Sequence, residues 1–121
     1  MPAGVTVVRR GDTPIEQYGW GSLQWLVNAA RAPGCEQTFG VSTIAPGGRN
    51  PLHFHPNCEE ILYVAAGRCD HRVEADVVPL ETGDAIVIPA GVRHNLVNTG
   101  TTDVVCIISF SSPERDTVFL E

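Results

Sequence analysis

Two blocks in the middle of the chain contain residues whose types and spacing could bind a metal ion. The first block supplies His53, His55 and an adjacent acidic pair, Glu59 and Glu60, and the second supplies His94. Three imidazoles and one carboxylate form a donor set of intermediate hardness, which suits Fe(II), Mn(II), Ni(II), Co(II) or Zn(II). The sequence therefore predicts a site for a divalent transition metal.

The His-Phe-His spacing favours a β-strand as the support for two of these ligands. On a strand, His53 and His55 leave the same face with Cα atoms about 6.6 Å apart, so both rings can reach one ion. Pro56 then removes a backbone donor and ends the strand. Alternation does not choose between Glu59 and Glu60, because both faces of the apolar segment that follows them are hydrophobic.

The remaining histidine is expected on a separate hairpin. Ala85–Ile88 is an apolar strand, and Pro89-Ala90-Gly91 has Pro and Gly at the positions that a turn prefers. This hairpin would place His94 at the start of the returning strand, where it would complete the ligand set.

Short strands separated by turn residues dominate the rest of the chain, which predicts an all-β sandwich or barrel. At most one turn of helix is expected, near Pro14–Tyr18. The predicted strands are Val5–Arg10, Leu23–Asn28, Gln37–Ile44, Leu52–His55, Ile61–Ala65, Cys69–Val73, Val77–Leu80, Ala85–Ile88, Asn95–Asn98, Asp103–Phe110 and Thr117–Leu120.

Composition indicates an ordinary globular protein of 121 residues, with 43% hydrophobic and 18% charged residues. The net charge of −6 and the absence of a basic run argue against a nucleic-acid or anionic membrane partner. No stretch is apolar enough for a membrane span or a signal peptide, so the expected location is the cytoplasm.

The four isolated cysteines are interpreted as free thiols, and Cys58 as a small loop residue and not a metal ligand.

The two blocks resemble the two signature motifs of the cupin superfamily, G-x5-H-x-H-x4-E-x6-G and G-x5-P-x-G-x2-H-x3-N. The matching segments are GGRNPLHFHPNCEEILYVAAG, residues 47–67, and GDAIVIPAGVRHNLVN, residues 83–98. All ten fixed positions are filled. The six-residue gap before Gly67 matches this pattern only from Glu60, which leaves Glu59 to solvent.

The resemblance implies a double-stranded β-helix, a jelly-roll barrel of two antiparallel sheets. The flanks are long enough only for one small domain of the conserved-barrel type, a monocupin spanning residues 1–121. It also implies that His53, His55, Glu60 and His94 carry the metal inside the barrel.

Cupins perform many reactions, so the resemblance does not name one. A divalent ion held by this ligand set has a net charge near +1 and two open positions, which favours oxygen-rich anionic metabolites. We therefore expect a small metal-dependent enzyme with a small-molecule substrate, dioxygenase chemistry ahead of isomerisation or cyclisation, and Glu60 as a candidate general base. A non-catalytic ligand-binding cupin is the other alternative.

Five residues outside the ligand set are interpreted as residues with a structural role or none, and not as parts of a functional site. His71 lies in a polar stretch and is interpreted as a solvated strand residue, and Arg49 as a surface arginine near the barrel mouth. Trp20 and Trp25 are interpreted as core, and Asn98 as a residue that bonds backbone groups.

The expected oligomer is a homodimer that pairs through edge strands. The early apolar strand Leu23–Asn28 would otherwise lie unpaired at a sheet edge.

Overall fold

The computed structural model describes residues 2–121, which form two antiparallel β-sheets and a short 3₁₀ turn at Arg10–Asp12. The strands are β1 (Ile15–Tyr18), β2 (Gly21–Val27), β3 (Thr38–Ile44), β4 (His53–Phe54), β5 (Glu60–Ala66), β6 (Arg68–Val73), β7 (Asp76–Glu81), β8 (Ala85–Ile88), β9 (His94–Val97), β10 (Val104–Phe110) and β11 (Val118–Phe119).

The two sheets have six and five strands and form the predicted jelly-roll. Their strand orders are β1-β2-β3-β10-β5-β8 and β11-β4-β9-β6-β7. In β10 every second residue, from Val104 to Phe110, is buried, and β3 shows the same alternation from Thr38 to Ile44. This period of two buries one face of each strand in the barrel interior.

The topology brings the two signature blocks together although they are distant in sequence. β4, from the first block, pairs with β9, from the second, and His53 lies directly opposite His94. β5 lies in the other sheet, beside β8 and β10, and begins at Glu60. The histidines therefore approach from one sheet and the glutamate from the other.

Gly67 makes the tight connection between β5 and β6 possible. Its φ of +85° is in the left-handed region, and a Cβ atom built there would lie 2.7 Å from the Asp103 carbonyl oxygen. Only glycine meets both conditions without strain.

Two predictions at the start of the chain are wrong. Val5–Arg10 forms no strand, and Pro14–Tyr18 contains β1 where a turn of helix was predicted. The predicted strand Leu23–Asn28 exists as β2 but is not a sheet edge, because it lies between β1 and β3. The other predicted strands are present, with bounds that differ by up to two residues.

All four cysteines are free, as predicted, and Cys58, Cys69 and Cys106 are buried. Across residues 2–121 we find no helix with the length and hydropathy that a membrane crossing requires.

Candidate metal centre

Four buried side chains meet inside the barrel. Each of His53, His55, Glu60 and His94 offers a ligand atom, and these atoms lie within 4.8 Å of one another. Glu60 Oε1 is 3.1 Å from His94 Nε2 and 3.3 Å from His55 Nε2. The structure thus brings together the residues that the sequence analysis selected.

Backbone carbonyl oxygens orient all three imidazoles in the same way. His53 Nδ1 donates to Pro51 O at 2.7 Å, His94 Nδ1 to Val92 O at 2.9 Å, and His55 Nδ1 to the Asp116 carbonyl at 2.9 Å. Because a carbonyl oxygen can only accept, each Nδ1 carries a proton. Nε2 is then the nitrogen that each ring offers to the cluster, and it can bind a metal once it carries no proton.

Burial and neighbouring charges adjust the protonation of the cluster. Burial, reinforced by the nearby His94, lowers the pKa of His53 to about 4. Burial alone would raise the pKa of Glu60, but the facing His55 and His94 outweigh it and hold this pKa well below its usual range. Burial opposes protonation of His94 as well, yet its hydrogen bond to Glu60 raises its pKa above the ordinary value.

The donor set fits a divalent ion. At neutral pH Glu60 is ionised, while the buried His55 Nε2 has no hydrogen-bond partner despite lying close to Glu60. A buried polar atom without a partner is costly, and a metal ion would satisfy it. The proton that links His94 to Glu60 would leave when the ion binds.

The cluster lines a cavity of about 200 Å³ that reaches the protein surface. Its walls are mostly apolar and aromatic, which is typical of a site for a small organic molecule. Trp20 and Trp25 pack against the hydrophobic core, as interpreted, and they also belong to these walls. Trp20 also stacks on Tyr18, with ring centres 4.9 Å apart.

The interpretation of His71 as solvated is wrong. Its side chain is only 1% exposed, lines the cavity, and stacks at 5.7 Å on the ring of His94. Cys69 and His71 share the inward face of β6, whereas Asp70 and Arg72 point toward solvent. His71 is two residues from both Cys69 and Val73, so all three share one face of the strand. This spacing was the sequence signal that the His71 side chain is buried.

The structure confirms the other structural interpretations. Glu59 and Arg49 are exposed. Cys58 is buried in the hydrophobic core and lies outside the ligand cluster. The Asn98 side-chain amide donates to the carbonyl oxygens of Ile44 and Thr102, at 2.9 and 2.8 Å.

Sequence reasoning missed Arg115. This residue lies in the last loop, between β10 and β11, and its guanidinium reaches the cavity wall. It belongs to neither signature block, and a single arginine in a polar segment carries no spacing signal.

Comparison with known proteins identifies the family. The family model for the cupin domain matches residues 40–110, which is more than half of the chain. The chain therefore belongs to the cupin family.

Relatives include Protein SchB of Streptomyces halstedii, which is 33% identical over 97 residues, or 80% of this chain and 70% of SchB. Oxalate oxidase 1 of Hordeum vulgare is 33% identical over 83% of this chain and 55% of its own length. Polyketide synthase CurC of Streptomyces cyaneus is 28% identical over 75% of this chain and 59% of CurC. The chain thus spans little more than half of the last two relatives.

Among solved structures, the formate complex of Lactobacillus farciminis oxalate decarboxylase matches 91% of this chain with a TM-score of 0.84. The chain covers 34% of that protein, and the two are 23% identical. At this identity the likeness shows the fold alone, and it agrees with the jelly-roll described above.

Proposed function

We propose that this cupin is a small metal-dependent enzyme that acts on an oxygenated, anionic organic metabolite. His53, His55, Glu60 and His94 would hold a divalent transition metal, such as Fe(II), Mn(II), Ni(II), Co(II) or Zn(II). One observation carries the proposal: three Nε2 atoms and one carboxylate face a common point while a carbonyl oxygen orients each ring. Metal-binding histidines in proteins are typically oriented in this way, by a hydrogen bond at the ring nitrogen that does not bind the metal.

A bound ion of this kind supplies Lewis-acid chemistry and, with a redox-active metal, chemistry with dioxygen. The chain's own residues bind and orient the substrate and exclude water from it. Glu60 lines the cavity, so once it loosens from the metal it is also our candidate for the general base that accepts a proton from the substrate. The aromatic walls favour a flat, conjugated substrate.

Oxidation by dioxygen is the reaction class that we place first. It is supported by the ligand set and by the similarity to a relative named oxalate oxidase. Isomerisation or cyclisation of a polyketide-like or sugar-derived substrate is the alternative, and the similarity to CurC, a polyketide synthase by name, favours the polyketide form. Ligand binding without catalysis is a further alternative.

Oxygen uptake separates these classes. The protein is loaded with Fe(II) or Zn(II) and given a panel of β-diketones and catechols, with and without air. Uptake of oxygen by the Fe(II) form alone supports oxidation. Substrate turnover at the same rate with and without air supports isomerisation or cyclisation. Binding with no turnover supports a non-catalytic cupin. A metal content below a tenth of an equivalent in every preparation would overturn the proposed metal site.

We also propose that residues 1–121 form one cupin domain that acts as a cytoplasmic homodimer. The free, buried thiols support a reducing compartment. The location is tested by expressing the protein with and without a cleavable export signal. We expect the cysteines to form non-native disulfides only in the exported protein.

A further inference from the structure

Among residues 2–121, Arg115 is the only arginine or lysine in the wall of the metal cavity. Its guanidinium carbon lies 3.9 Å from the ring centre of Trp25 and 5.4 Å from that of Phe110. No Asp or Glu carboxylate among residues 2–121 forms an ion pair with it. A partly buried charge without a salt-bridge partner is costly, so an anion from outside the chain would stabilise it.

The position of Arg115 is fixed by the loop that carries it. Asn57 holds the backbone on both sides of Arg115: its Nδ2 donates to Glu114 O, and its Oδ1 accepts from Asp116 N, each at 2.9 Å. The Pro113 carbonyl accepts a further bond from Ala29 N at 3.0 Å. With its backbone held by these bonds and its guanidinium stacked on Trp25, Arg115 loses little conformational entropy when it binds a ligand.

Arg115 lines both the metal cavity and a depression of the protein surface. This depression has a volume of about 720 Å³. Trp25, Arg115, Thr117 and Phe119 line both this depression and the metal cavity. A molecule that enters the cavity from the depression therefore passes the guanidinium.

The guanidinium is also close to the metal ligands. Its Nη1 donates to Thr117 Oγ1, which lies 3.2 Å from Nδ1 of His55. The ring of Phe110 contacts both groups, with the His55 ring centre at 4.9 Å. Because Arg115 and the four clustered side chains line the same cavity, one compact molecule can reach the guanidinium and the metal position together.

We propose that Arg115 is a substrate-binding residue that takes the carboxylate of a two-ended substrate. The other end of that substrate carries the paired oxygen donors that face the metal. The planar fork of arginine matches a carboxylate with two parallel hydrogen bonds. This inference rests on the proposed function and narrows its substrate to compact, conjugated hydroxy or oxo acids.

The test uses 3,4-dihydroxybenzoate and its methyl ester as probes, because the catechol oxygens and the carboxylate lie at opposite ends of one ring. Both are titrated anaerobically by calorimetry into protein loaded with redox-inert Zn(II). The wild-type protein should bind the acid at least tenfold more tightly than the ester. In Arg115→Gln the two affinities should differ by less than about twofold.

Arg49→Gln is the matched control, because it removes an exposed arginine outside both cavities and should keep the wild-type preference. Zinc content must stay the same in all three proteins. If Arg115→Gln does not fold, Arg115→Lys replaces it; it keeps the charge but loses the fork, and should lose at least threefold in affinity for the acid. An acid preference that survives Arg115→Gln, an affinity for the acid that Arg115→Lys leaves unchanged, or the absence of a preference in the wild-type protein would overturn the inference.

A second titration separates this inference from the proposed metal site. Metal-free protein is titrated with benzoate and with benzamide. Binding of benzoate alone, lost in Arg115→Gln, would support the anion site even if no metal were ever bound. Equal benzoate binding by both proteins, or binding by neither, would count against Arg115 whatever the metal content.

Discussion

At the scale of single residues, the neighbouring glutamates Glu59 and Glu60 have opposite surroundings. Glu60 is buried between two imidazoles, whereas Glu59 is exposed at the surface. Side chains of successive strand residues point to opposite faces, so the same residue type one position apart performs different roles.

This contrast gives a matched pair of variants. Glu60→Gln removes the anionic ligand and should weaken metal binding at least tenfold, while Glu59→Gln should leave it within about twofold. Elemental analysis after dialysis against a metal buffer measures both. Loss of metal from Glu59→Gln with retention in Glu60→Gln would show that the ligand assignment is wrong.

His94→Ala should also remove most of the metal. The apolar core does not include this residue, so the variant should remain folded while losing the stability that the ion contributes. Thermal unfolding with and without Zn(II) measures this: zinc should raise the midpoint of the wild-type protein and leave that of the variant unchanged. A zinc-dependent rise of the same size in the variant would contradict the prediction.

His71 should make the metal-free protein sensitive to acid. Burial lowers its pKa to about 4, below the value of about 6.5 expected in the unfolded chain. As the pH falls, His71 therefore binds a proton in the unfolded state before it does so in the folded state. The unfolding free energy that the neutral His71 contributes is fully present above pH 6.5 and is lost as the pH falls toward 4.

The expected loss of unfolding free energy between pH 7 and pH 5 is about 2 kcal/mol from this residue alone. Urea unfolding of metal-free wild-type protein and of His71→Leu at the two pH values measures it. The variant should lose about 2 kcal/mol less than the wild-type protein. Equal losses would mean that His71 is protonated in the folded state.

The ligand set was predictable from sequence, whereas the cavity walls were not. His53, His55, Glu60 and His94 occupy fixed motif positions. Arg115 has no such position, since only the fold of the last loop brings it beside Trp25.

At the scale of secondary structure, strands with a clear turn on each side and a buried face were predicted to within two residues. β1 was missed because Ile15–Tyr18 is only four residues long and exposed throughout, and so short a run does not distinguish a strand from a helical turn. Val5–Arg10 has strand-forming residues but no neighbour with which to pair. Strand propensity describes how well a residue fits into a β-sheet. It does not supply the neighbouring strand with which a segment must pair.

The two glycines that follow β5 and β7 allow two costs of a substitution to be measured separately. One is the cost of a positive φ, and the other is the cost of a clash between the new Cβ and nearby backbone atoms. Gly67 and Gly83 both have positive φ, at +85° and +96°, but only Gly67 has backbone atoms where a Cβ would lie. Gly67→Ala should therefore lower the free energy of unfolding by about 1–3 kcal/mol more than Gly83→Ala. Urea unfolding measures the difference, and equal losses would show that the close approach to Asp103 costs nothing.

At the scale of the whole molecule, the outer face of the six-stranded sheet is apolar. Ile61, Tyr63 and Val87 are exposed there, and Ile107 lies beside Tyr63 in the sheet. An exposed apolar surface of this kind is typical of an interface, and a second copy could cover it through a two-fold axis. The homodimer expected from the sequence would then pack through this face and not through a strand edge.

Tyr63→Lys should convert the dimer to a monomer, because it places a charge at the centre of this apolar face. Ile15→Lys, on the exposed edge strand β1, is the control and should leave the dimer intact. Sedimentation at micromolar concentration measures both. A monomeric wild-type protein would exclude the dimer, and a dimer lost only in Ile15→Lys would favour pairing at the edge.

The carbonyl oxygens that hold the three imidazoles belong to the polypeptide itself, at Pro51, Val92 and Asp116. Exchange of a side chain leaves a main-chain acceptor in place, so the tautomers of the ligands are insulated from most point mutations nearby. Residues of the surrounding wall, such as Trp25 and Arg115, can therefore be replaced to suit a different molecule while the metal-binding tautomers persist. For protein engineering, this makes the barrel a scaffold whose selectivity is open to redesign separately from its candidate metal centre.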